Sequence, residues 1–277
     1  MDIRLAYGGP PESLAAGLAK NQQAERDPAL LVSYAYLDKF LEQKHRYTYR
    51  DWVLDSGAYT AYASGKEIDL DKYIETCKRL MAEDKTLVEI YSLDVIGDWK
   101  ASIRNTEKMW ANGIPAIPCY HVNEPEHVLK MLATEYPKIA LGGVALARTG
   151  KKLEWAKQCF ARIWPKPIHG FAFCSRRAVM GLPWHSVDAS SWELSPCKYG
   201  HWRAYSGKTL SIRGSRQNLR VEVDWYLKLE RDARVRWRRE MEQLDLQPVD
   251  RLVDIRLSEI GTGRFFGAER DTVEARK

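Results

Sequence analysis

Three aspartates each stand directly after a short apolar run in this chain of 277 residues, and they are the residues whose type and placement suggest chemistry. They are Asp55, Asp94 and Asp188. A carboxylate beside a buried run is costly to desolvate unless it is paired, hydrogen-bonded or turned toward a site. Each one alone would also suit a helix N-cap or a loop brace. Three in equivalent places favour one shared explanation, which is a common site.

Further residues that suit ligand contact follow other apolar runs. Cys119, Tyr120 and His121 end one run, and Gly142-Gly143 ends another. Paired glycines let a flat ligand approach backbone N–H groups, although a tight turn would also use them. Aromatic residues could sandwich a heteroaromatic ring or could simply belong to the core. The candidates are Tyr59, Tyr120, Phe171, Phe173 and Trp192.

This set of residues suits displacement at the anomeric carbon of a nucleoside. One ionised carboxylate attacks C1′, and a second carboxyl group handles the proton of the leaving or entering group. Two successive inversions then preserve the configuration at C1′. A third carboxylate would accept hydrogen bonds from the N–H groups of a guanine-like base.

Eight apolar, β-rich runs alternate with polar stretches that carry helical periodicity, a pattern typical of a parallel sheet. We predict an α/β fold, a (β/α)8 TIM barrel with a basic C-terminal helical extension; an open doubly wound sheet is the alternative. In both folds the carboxyl ends of the strands carry the chemistry. The predicted strands are Ile3-Tyr7, Leu30-Tyr36, Trp52-Leu54, Leu87-Leu93, Pro115-Tyr120, Ile139-Gly142, Ile168-Phe173 and His185-Val187.

The intervening stretches predict helices, and the character of the chain changes after the eighth run. We predict a catalytic barrel over residues 1–195, a basic, mostly helical extension over 196–260 that closes the barrel and contacts nucleic acid, and a mobile tail over 261–277. A long helix is expected over Val221-Leu244. The barrel helices are expected at Glu12-Gln23, Leu37-Lys44, Leu70-Ala82, Ala101-Asn112, Glu124-Thr134, Lys151-Ile163 and Arg176-Gly181.

Composition favours a soluble, intracellular protein. Hydrophobic residues make up 45% of the chain, enough for a sizeable core. The mean hydropathy is −0.46, and no apolar stretch approaches the length of a membrane span. The amino terminus lacks the pattern of a secretory signal, so we expect a cytoplasmic location. The five scattered cysteines contain no CxxC pair and predict neither a disulfide framework nor a four-thiolate zinc site.

The order of motifs between Trp52 and Trp192 resembles the tRNA-guanine transglycosylase superfamily, especially its phage and bacterial DNA-guanine transglycosylase branch of the DpdA type. DSGAY at Asp55-Tyr59 is similar to the family's DSGGF motif. SLDVIGD carries an aspartate after the fourth run, LGGVA is similar to the GGLAVG segment, and VDASSW follows the eighth run. These motifs stand in the family's order on successive predicted strand ends.

The resemblance implies specific roles. Asp188 takes the place of the nucleophile, and Asp55 that of the general acid-base. Asp94 corresponds to the aspartate that grips the guanine edge, with Asp98 as a nearby competitor. Other residues expected to bind the substrate are Ser56, Gly57, Tyr120, His121, Gly142, Gly143 and Phe171. The implied reaction exchanges guanine in nucleic acid for a 7-deazaguanine such as preQ0, without a cofactor, in a bacterial or phage-infected cell.

The chain lacks the CxCxxC-plus-histidine zinc motif of the tRNA-modifying members, since only Cys197 and His201 follow Asp188. We therefore expect no metal site and favour DNA as the polymer. From Lys198 to Arg239 there are twelve Lys or Arg against four acidic residues, a local charge of +8 within a net +6. Such a segment suits phosphate contact, although a solvated basic face is the alternative. The expected nucleic-acid contacts are Lys198, Arg203, Lys208, Arg213, Arg216, Arg231, Arg234 and Arg238.

Several alternatives stay open at this point. The same site would serve tRNA if a partner supplied the missing platform, or would act as a hydrolase that passes the glycosyl-enzyme to water. A third alternative is a non-catalytic nucleic-acid-binding subunit with the same barrel, and a fourth is catalysis by Cys119 and His121, two residues apart on one strand face. The sequence also leaves a homodimer open, and it predicts no membrane contact.

Overall fold

The computed structural model of the chain describes residues 1–8, 27–143, 151–203, 209–211 and 219–243. Within them, eight strands overlap the eight predicted runs. Several strands end earlier than predicted, because the chain turns into loops or a 3-10 helix at the carboxyl end, as at Tyr34–Tyr36. The strands are β1 (Asp2–Tyr7), β2 (Ala29–Ser33), β3 (Trp52–Asp55), β4 (Leu87–Ile90), β5 (Cys119–His121), β6 (Ile139–Gly142), β7 (Ile168–Gly170) and β8 (Ser186–Ala189).

The eight strands form one parallel sheet in the order β4-β3-β2-β1-β8-β7-β6-β5. A parallel bridge between Tyr91 and Ile117 joins the two edges. Its hydrogen bonds run from the Ile117 N–H to the Ile90 carbonyl at 2.8 Å and from the Ser92 N–H to the Ile117 carbonyl at 2.9 Å. The sheet is thus closed into a TIM-barrel-like (β/α)8 fold, and the predicted fold class is confirmed.

Helices separate most of the strands. The predicted helix Glu12-Gln23 lies outside the described residues. Two helices were not predicted: the one after β3, framed by Gly57 and Gly65 with φ of +76° and +64°, and the one after β8. The helices are α1 (Leu37–Gln43), α2 (Ala58–Ser64), α3 (Leu70–Glu83), α4 (Trp99–Ala111), α5 (Glu126–Glu135), α6 (Lys152–Ile163), α7 (Arg176–Val179), α8 (Ser191–Tyr199), α9 (Leu219–Arg236) and α10 (Arg238–Gln243).

The strands alternate between two cores. Outward residues such as Leu5, Leu54 and Leu141 pack against the helices. Inward residues form a smaller cluster inside the barrel, which includes Leu31, Val53, Tyr91, Ile117, Cys119 and Ala140, with Phe171 against it. Because side chains alternate along a strand, this assignment fixes which residues face the barrel interior.

Charged pairs fill the amino-terminal end of the barrel interior. Arg4 Nη1 donates to Asp51 Oδ1 at 2.5 Å, and Lys138 Nζ donates to Glu89 Oε1 at 2.6 Å. Both cations are almost fully buried. Buried charges are tolerated only when they are paired and hydrogen-bonded, as these are.

The C-terminal part begins with a hairpin of β9 (His201–Arg203) and β10 (Thr209–Ser211), followed by α9. Helix α9 packs along β1: the Tyr226 hydroxyl contacts Ser191 Oγ at 2.6 Å after β8, and Glu230 Oε2 accepts from the Ile3 N–H at 2.8 Å at the start of β1. The predicted single helix breaks at Trp237, between α9 and α10. The predicted tail lies outside the described residues. Among the described helices, none has the length and apolar character that crossing a bilayer requires.

Candidate active site

The three aspartates meet at the carboxyl-terminal rim of the barrel. Asp55 is the last residue of β3, Asp188 lies in β8, and Asp94 follows β4. Burial, and then the negative charges of Asp94 and Asp188, raise the pKa of Asp55 to about 7. The charges of Asp94 and Asp188 therefore reach Asp55 across the barrel mouth.

Asp55 is held by the turn that follows it. The Gly57 N–H donates to Asp55 Oδ2 at 3.2 Å, and Gly57 adopts a φ of +76° that favours glycine. Ser56 is buried, with 2% of its surface exposed. The substrate-binding role predicted for Ser56 and Gly57 stays a prediction: Ser56 is covered, and the Gly57 N–H is donated to Asp55. Both residues belong to the turn that presents the Asp55 carboxyl group.

Asp188 is almost buried and points into the barrel mouth. Its Oδ1 accepts a hydrogen bond from the Ala172 N–H at 2.8 Å, in a turn where Ala172 has a φ of +59°. Burial raises the pKa of Asp188 to about 6, although the Ala172 hydrogen bond counteracts the rise. At neutral pH Asp188 is mainly ionised and Asp55 is close to half protonated, so the two carboxyl groups carry different protonation states.

Asp94 is paired with a histidine. His121 Nε2 lies 3.1 Å from Asp94 Oδ2, and His121 Nδ1 lies 3.1 Å from Glu124 Oε1. Glu124 Oε2 also accepts from the His121 backbone N–H at 2.9 Å. Burial opposes a charged imidazole, but the hydrogen-bonded carboxylates of Asp94 and Glu124 raise the pKa of His121 well above its usual range. His121 therefore bridges Asp94 and Glu124 as a doubly donating imidazolium.

Asp98 and Tyr120 were further candidates near this pair. Asp98, the competitor of Asp94, is exposed and caps α4 by accepting from the Ala101 N–H at 3.0 Å. Tyr120 was predicted to bind substrate, but its placement gives that role no support. Its ring faces outward, stacks on Trp155 at 5.9 Å, and its hydroxyl donates to the Glu124 carbonyl at 2.8 Å. The period-two alternation that turns His121 inward necessarily turns Tyr120 outward.

Gly142 and Gly143 line the wall beside His121. A Cβ on Gly142 would lie 2.6 Å from Cys119 Sγ, and Gly143 has a φ of +74°. Phe171 lies on the same interior side, with its ring 4.9 Å from that of Tyr91. Among the other aromatic candidates, Phe173 and Trp192 belong to the outer core, and Tyr59 is exposed.

One group of metal-binding side chain types lies together among the described residues. A carboxylate oxygen of Asp94, the Cys119 sulfur and a ring nitrogen of His121 lie within 4.8 Å of one another. Both nitrogens of His121 already face carboxylates, so the group is electrostatically satisfied as it stands. Burial raises the pKa of Cys119 to about 12, which keeps it a thiol and disfavours its use as a nucleophile.

One of the predicted nucleic-acid contacts, Arg234, lies at the end of the barrel opposite the mouth. Arg234 donates through Nε to the Met1 carbonyl at 2.8 Å, and it pairs with Asp2. These partners stand at the amino end of β1, opposite the mouth. Arg231 belongs to the same stretch of α9, and Arg238 follows it in α10. Because α9 runs down the barrel wall, it carries Arg234 away from the candidate site.

The remaining basic residues have mixed outcomes. Lys198 is exposed in the last turn of α8, with its Nζ 5.5 Å from the Tyr199 ring centroid. Arg203 lies in β9. Lys208, Arg213 and Arg216 lie outside the described residues. Contact of this segment with nucleic acid stays a prediction.

Three residues near the site were not singled out from the sequence. Glu124 holds His121, Ala172 binds Asp188, and His169 lies inside the barrel with Nε2 3.6 Å from Asp188 Oδ1. The spacing of three between His121 and Glu124, and the alternation that turns His169 inward with Phe171, were readable signals. The left-handed conformation of Ala172 was not.

No model of a known protein family matches the chain. A search of curated proteins also finds no match. Among solved structures, the alpha subunit of tryptophan synthase from Campylobacter jejuni is similar to this chain, with a TM-score of 0.41 and 17% sequence identity. The similarity covers 69% of this chain and 88% of that one.

Proposed function

We propose that this protein exchanges guanine in nucleic acid, with DNA as the favoured polymer, for a 7-deazaguanine base through a covalent bond between Asp188 and C1′. One observation carries the proposal: two carboxyl groups at one rim, Asp188 with a pKa of about 6 and Asp55 with a pKa of about 7. The order of the DSGAY, SLDV, LGGVA and VDASSW motifs supplies the reaction class by resemblance.

Asp188 is suited to be the nucleophile. Its pKa of about 6 leaves it mainly anionic at neutral pH, and the Ala172 N–H fixes Oδ1. An anion removed from bulk water and held in place attacks a sugar carbon more readily than a solvated one. The attack forms the bond between Asp188 and C1′ and breaks the bond between C1′ and N9, whose electron pair leaves with guanine.

Asp55 is suited to move protons. As a neutral acid it protonates the departing guanine and becomes a carboxylate. That carboxylate then takes the N9 proton of the incoming 7-deazaguanine, whose nitrogen attacks C1′ and releases Asp188. Two inversions give net retention, protons and charge balance over the cycle, and no cofactor is needed.

Base recognition falls to the wall formed by Asp94, His121, Gly142 and Gly143. Asp94 can accept hydrogen bonds from the N–H groups of a guanine edge, and the glycines let a flat ring approach the backbone. A guanosine in a duplex must first be turned out of the stack to reach this depth.

The test is incubation of the protein with preQ0 and either single-stranded DNA, duplex DNA or tRNA, followed by nucleoside mass spectrometry. We expect the deazaguanine nucleoside in DNA, and we expect Asp188→Asn to abolish it. Asp98→Asn is the matched control, because it removes an exposed capping carboxylate on the loop after β4. Incorporation only into tRNA would assign the alternative polymer, and abasic sites would indicate a hydrolase. Unchanged exchange by Asp188→Asn would refute the assigned nucleophile.

A further inference from the structure

A line of polar side chains runs through the barrel interior from its amino-terminal end to Asp188. Lys138 Nζ donates to Glu89 Oε1 at 2.6 Å and to Ser186 Oγ at 3.3 Å. Ser186 Oγ lies 2.9 Å from His169 Nδ1. His169 Nε2 lies 3.6 Å from Asp188 Oδ1. Burying such a line of polar groups costs free energy of folding unless each group has a hydrogen-bond partner.

The line favours the tautomer of His169 that carries its hydrogen on Nε2. Ser186 Oγ accepts from the Lys138 ammonium, so its own hydrogen is available for His169 Nδ1. A neutral imidazole that accepts at Nδ1 carries its hydrogen at Nε2. Burial, followed by the positive charge of Lys138, lowers the pKa of His169 well below its usual range, so the ring is neutral.

The ring of His169 is fixed in orientation. It lies between Tyr91 and Phe171, with ring centroids at 4.9 Å and 4.6 Å. His169 has no exposed surface, and Nε2 is a buried polar atom without a hydrogen-bond partner. A buried donor without a partner is rare in folded proteins, and the carboxylate of Asp188 is the acceptor it faces.

We propose that His169 is a positioning residue for Asp188: its Nε2–H, oriented by Ser186 and Lys138, faces Oδ1 and holds the carboxylate ionised and aligned with the sugar. The consequence for catalysis rests on the proposed function, but the contact itself does not. The 3.6 Å separation is slightly longer than a hydrogen bond, so a small shift of either side chain would close it. Charged groups around the pair are Asp55, Lys152, Lys138, Glu89 and Arg4.

The first measurement uses the wild-type protein without substrate. Imidazole nitrogen shifts in a ¹⁵N-histidine-labelled sample report the tautomer of His169. We expect a neutral ring with its hydrogen on Nε2 across pH 5 to 8. A ring that carries its hydrogen on Nδ1, or that is charged at neutral pH, would overturn the proposal.

The second measurement follows the Asp188 carboxyl carbon by ¹³C NMR through a pH titration, assigned with Asp188→Asn. His169→Leu should raise the pKa of Asp188 by about 1, because the carboxylate loses a donor. His169→Gln, which can return an N–H donor near the position of Nε2, should bring it back toward the wild-type value. An unchanged pKa in His169→Leu would overturn the proposal. If His169→Leu does not fold, the pKa of Asp188 in His169→Gln and the tautomer of His169 in the wild type test the proposal.

His185→Leu is the matched control. His185 lies beside the start of β8, at the other end of the barrel, so its loss should leave the pKa of Asp188 unchanged. In the exchange assay, the acid limb of the rate should move to higher pH in His169→Leu and stay in place in His185→Leu. Absence of exchange in the wild type would contradict the proposed function, whereas the NMR titration would still decide the role of His169.

Discussion

Asp55 and Asp188 share one electrostatic environment across the mouth of the barrel. Burial, and then the charges of Asp94 and Asp188, bring the pKa of Asp55 to about 7, while burial brings that of Asp188 to about 6. As the pH rises, Asp188 loses its proton first. Between these two pKa values, Asp188 is mainly an anion while Asp55 is mainly a neutral acid.

The rate of base exchange should follow a bell-shaped pH profile. Below about 6 Asp188 becomes protonated and cannot attack, and above about 7 Asp55 loses the proton that the leaving guanine needs. The profile of kcat/KM from pH 4.5 to 9 checks this. A flat profile over that range would show that neither carboxyl group limits the reaction.

Asp55→Asn should stabilise the protein while it impairs exchange. The folded state raises the pKa of Asp55 to about 7, so the ionised form is less favourable folded than unfolded. Stability from this group is therefore lost as the pH rises from about 4 to 7. The neutral amide should add about 1–2 kcal/mol near neutral pH, a value discounted for partial exposure. Urea unfolding at pH 5 and pH 8 tests it, since the gain should be larger at pH 8; a loss of stability at both would contradict the account.

Gly142→Ala should destabilise the barrel wall. The new Cβ would lie 2.6 Å from Cys119 Sγ, which is buried. Overpacking of this kind costs about 1–3 kcal/mol. Replacing Cys119 by Ala in the same chain removes the sulfur and should recover most of the loss in a thermal melt. A double variant no more stable than the single one would show that the contact is not the cause.

Substitution of Arg234 should affect stability, whereas substitution of Lys198 should affect nucleic-acid binding. Arg234→Ala removes contacts with Met1, Asp2 and Glu230 and should cost about 1–2 kcal/mol, with DNA affinity unchanged. Lys198→Ala should leave stability unchanged. It should also reduce the slope of log affinity against log salt concentration by about 1, the value for one phosphate contact. Thermal melts and fluorescence anisotropy at several salt concentrations measure both. A loss of DNA affinity in Arg234→Ala, with none in Lys198→Ala, would instead place the DNA-binding surface on α9.

The sequence predicted the barrel well because each strand is a short apolar run flanked by helical periodicity. It predicted the meeting of Asp55, Asp94 and Asp188 for the same reason, since parallel strands end at one rim. Helix α2 was not predicted, because seven small and aromatic residues between two glycines look like a loop. The start of α3 was easier to predict, because Asp69 is a typical N-cap residue. It accepts hydrogen bonds from the Asp71 and Lys72 N–H groups.

Side-chain direction was the harder part. Tyr120 and His121 are neighbours, and only the strand register decides which of them faces the interior. The positive charge of the C-terminal segment was read as one surface, but α9 extends along the whole barrel wall and carries Arg234 to the far end. The number of charged residues in a segment does not show how far apart the folded chain places them.

The central claim is that Asp188 forms a bond with C1′, and trapping that bond tests it most directly. The protein is incubated with guanosine-containing DNA without an incoming base, denatured rapidly and digested, and the peptide that carries a deoxyribose is sequenced by mass spectrometry. The account predicts the adduct on residue 188 and its loss in Asp188→Asn, with Asp98→Asn unaffected. An adduct on Asp55, or one that persists in Asp188→Asn, would contradict it.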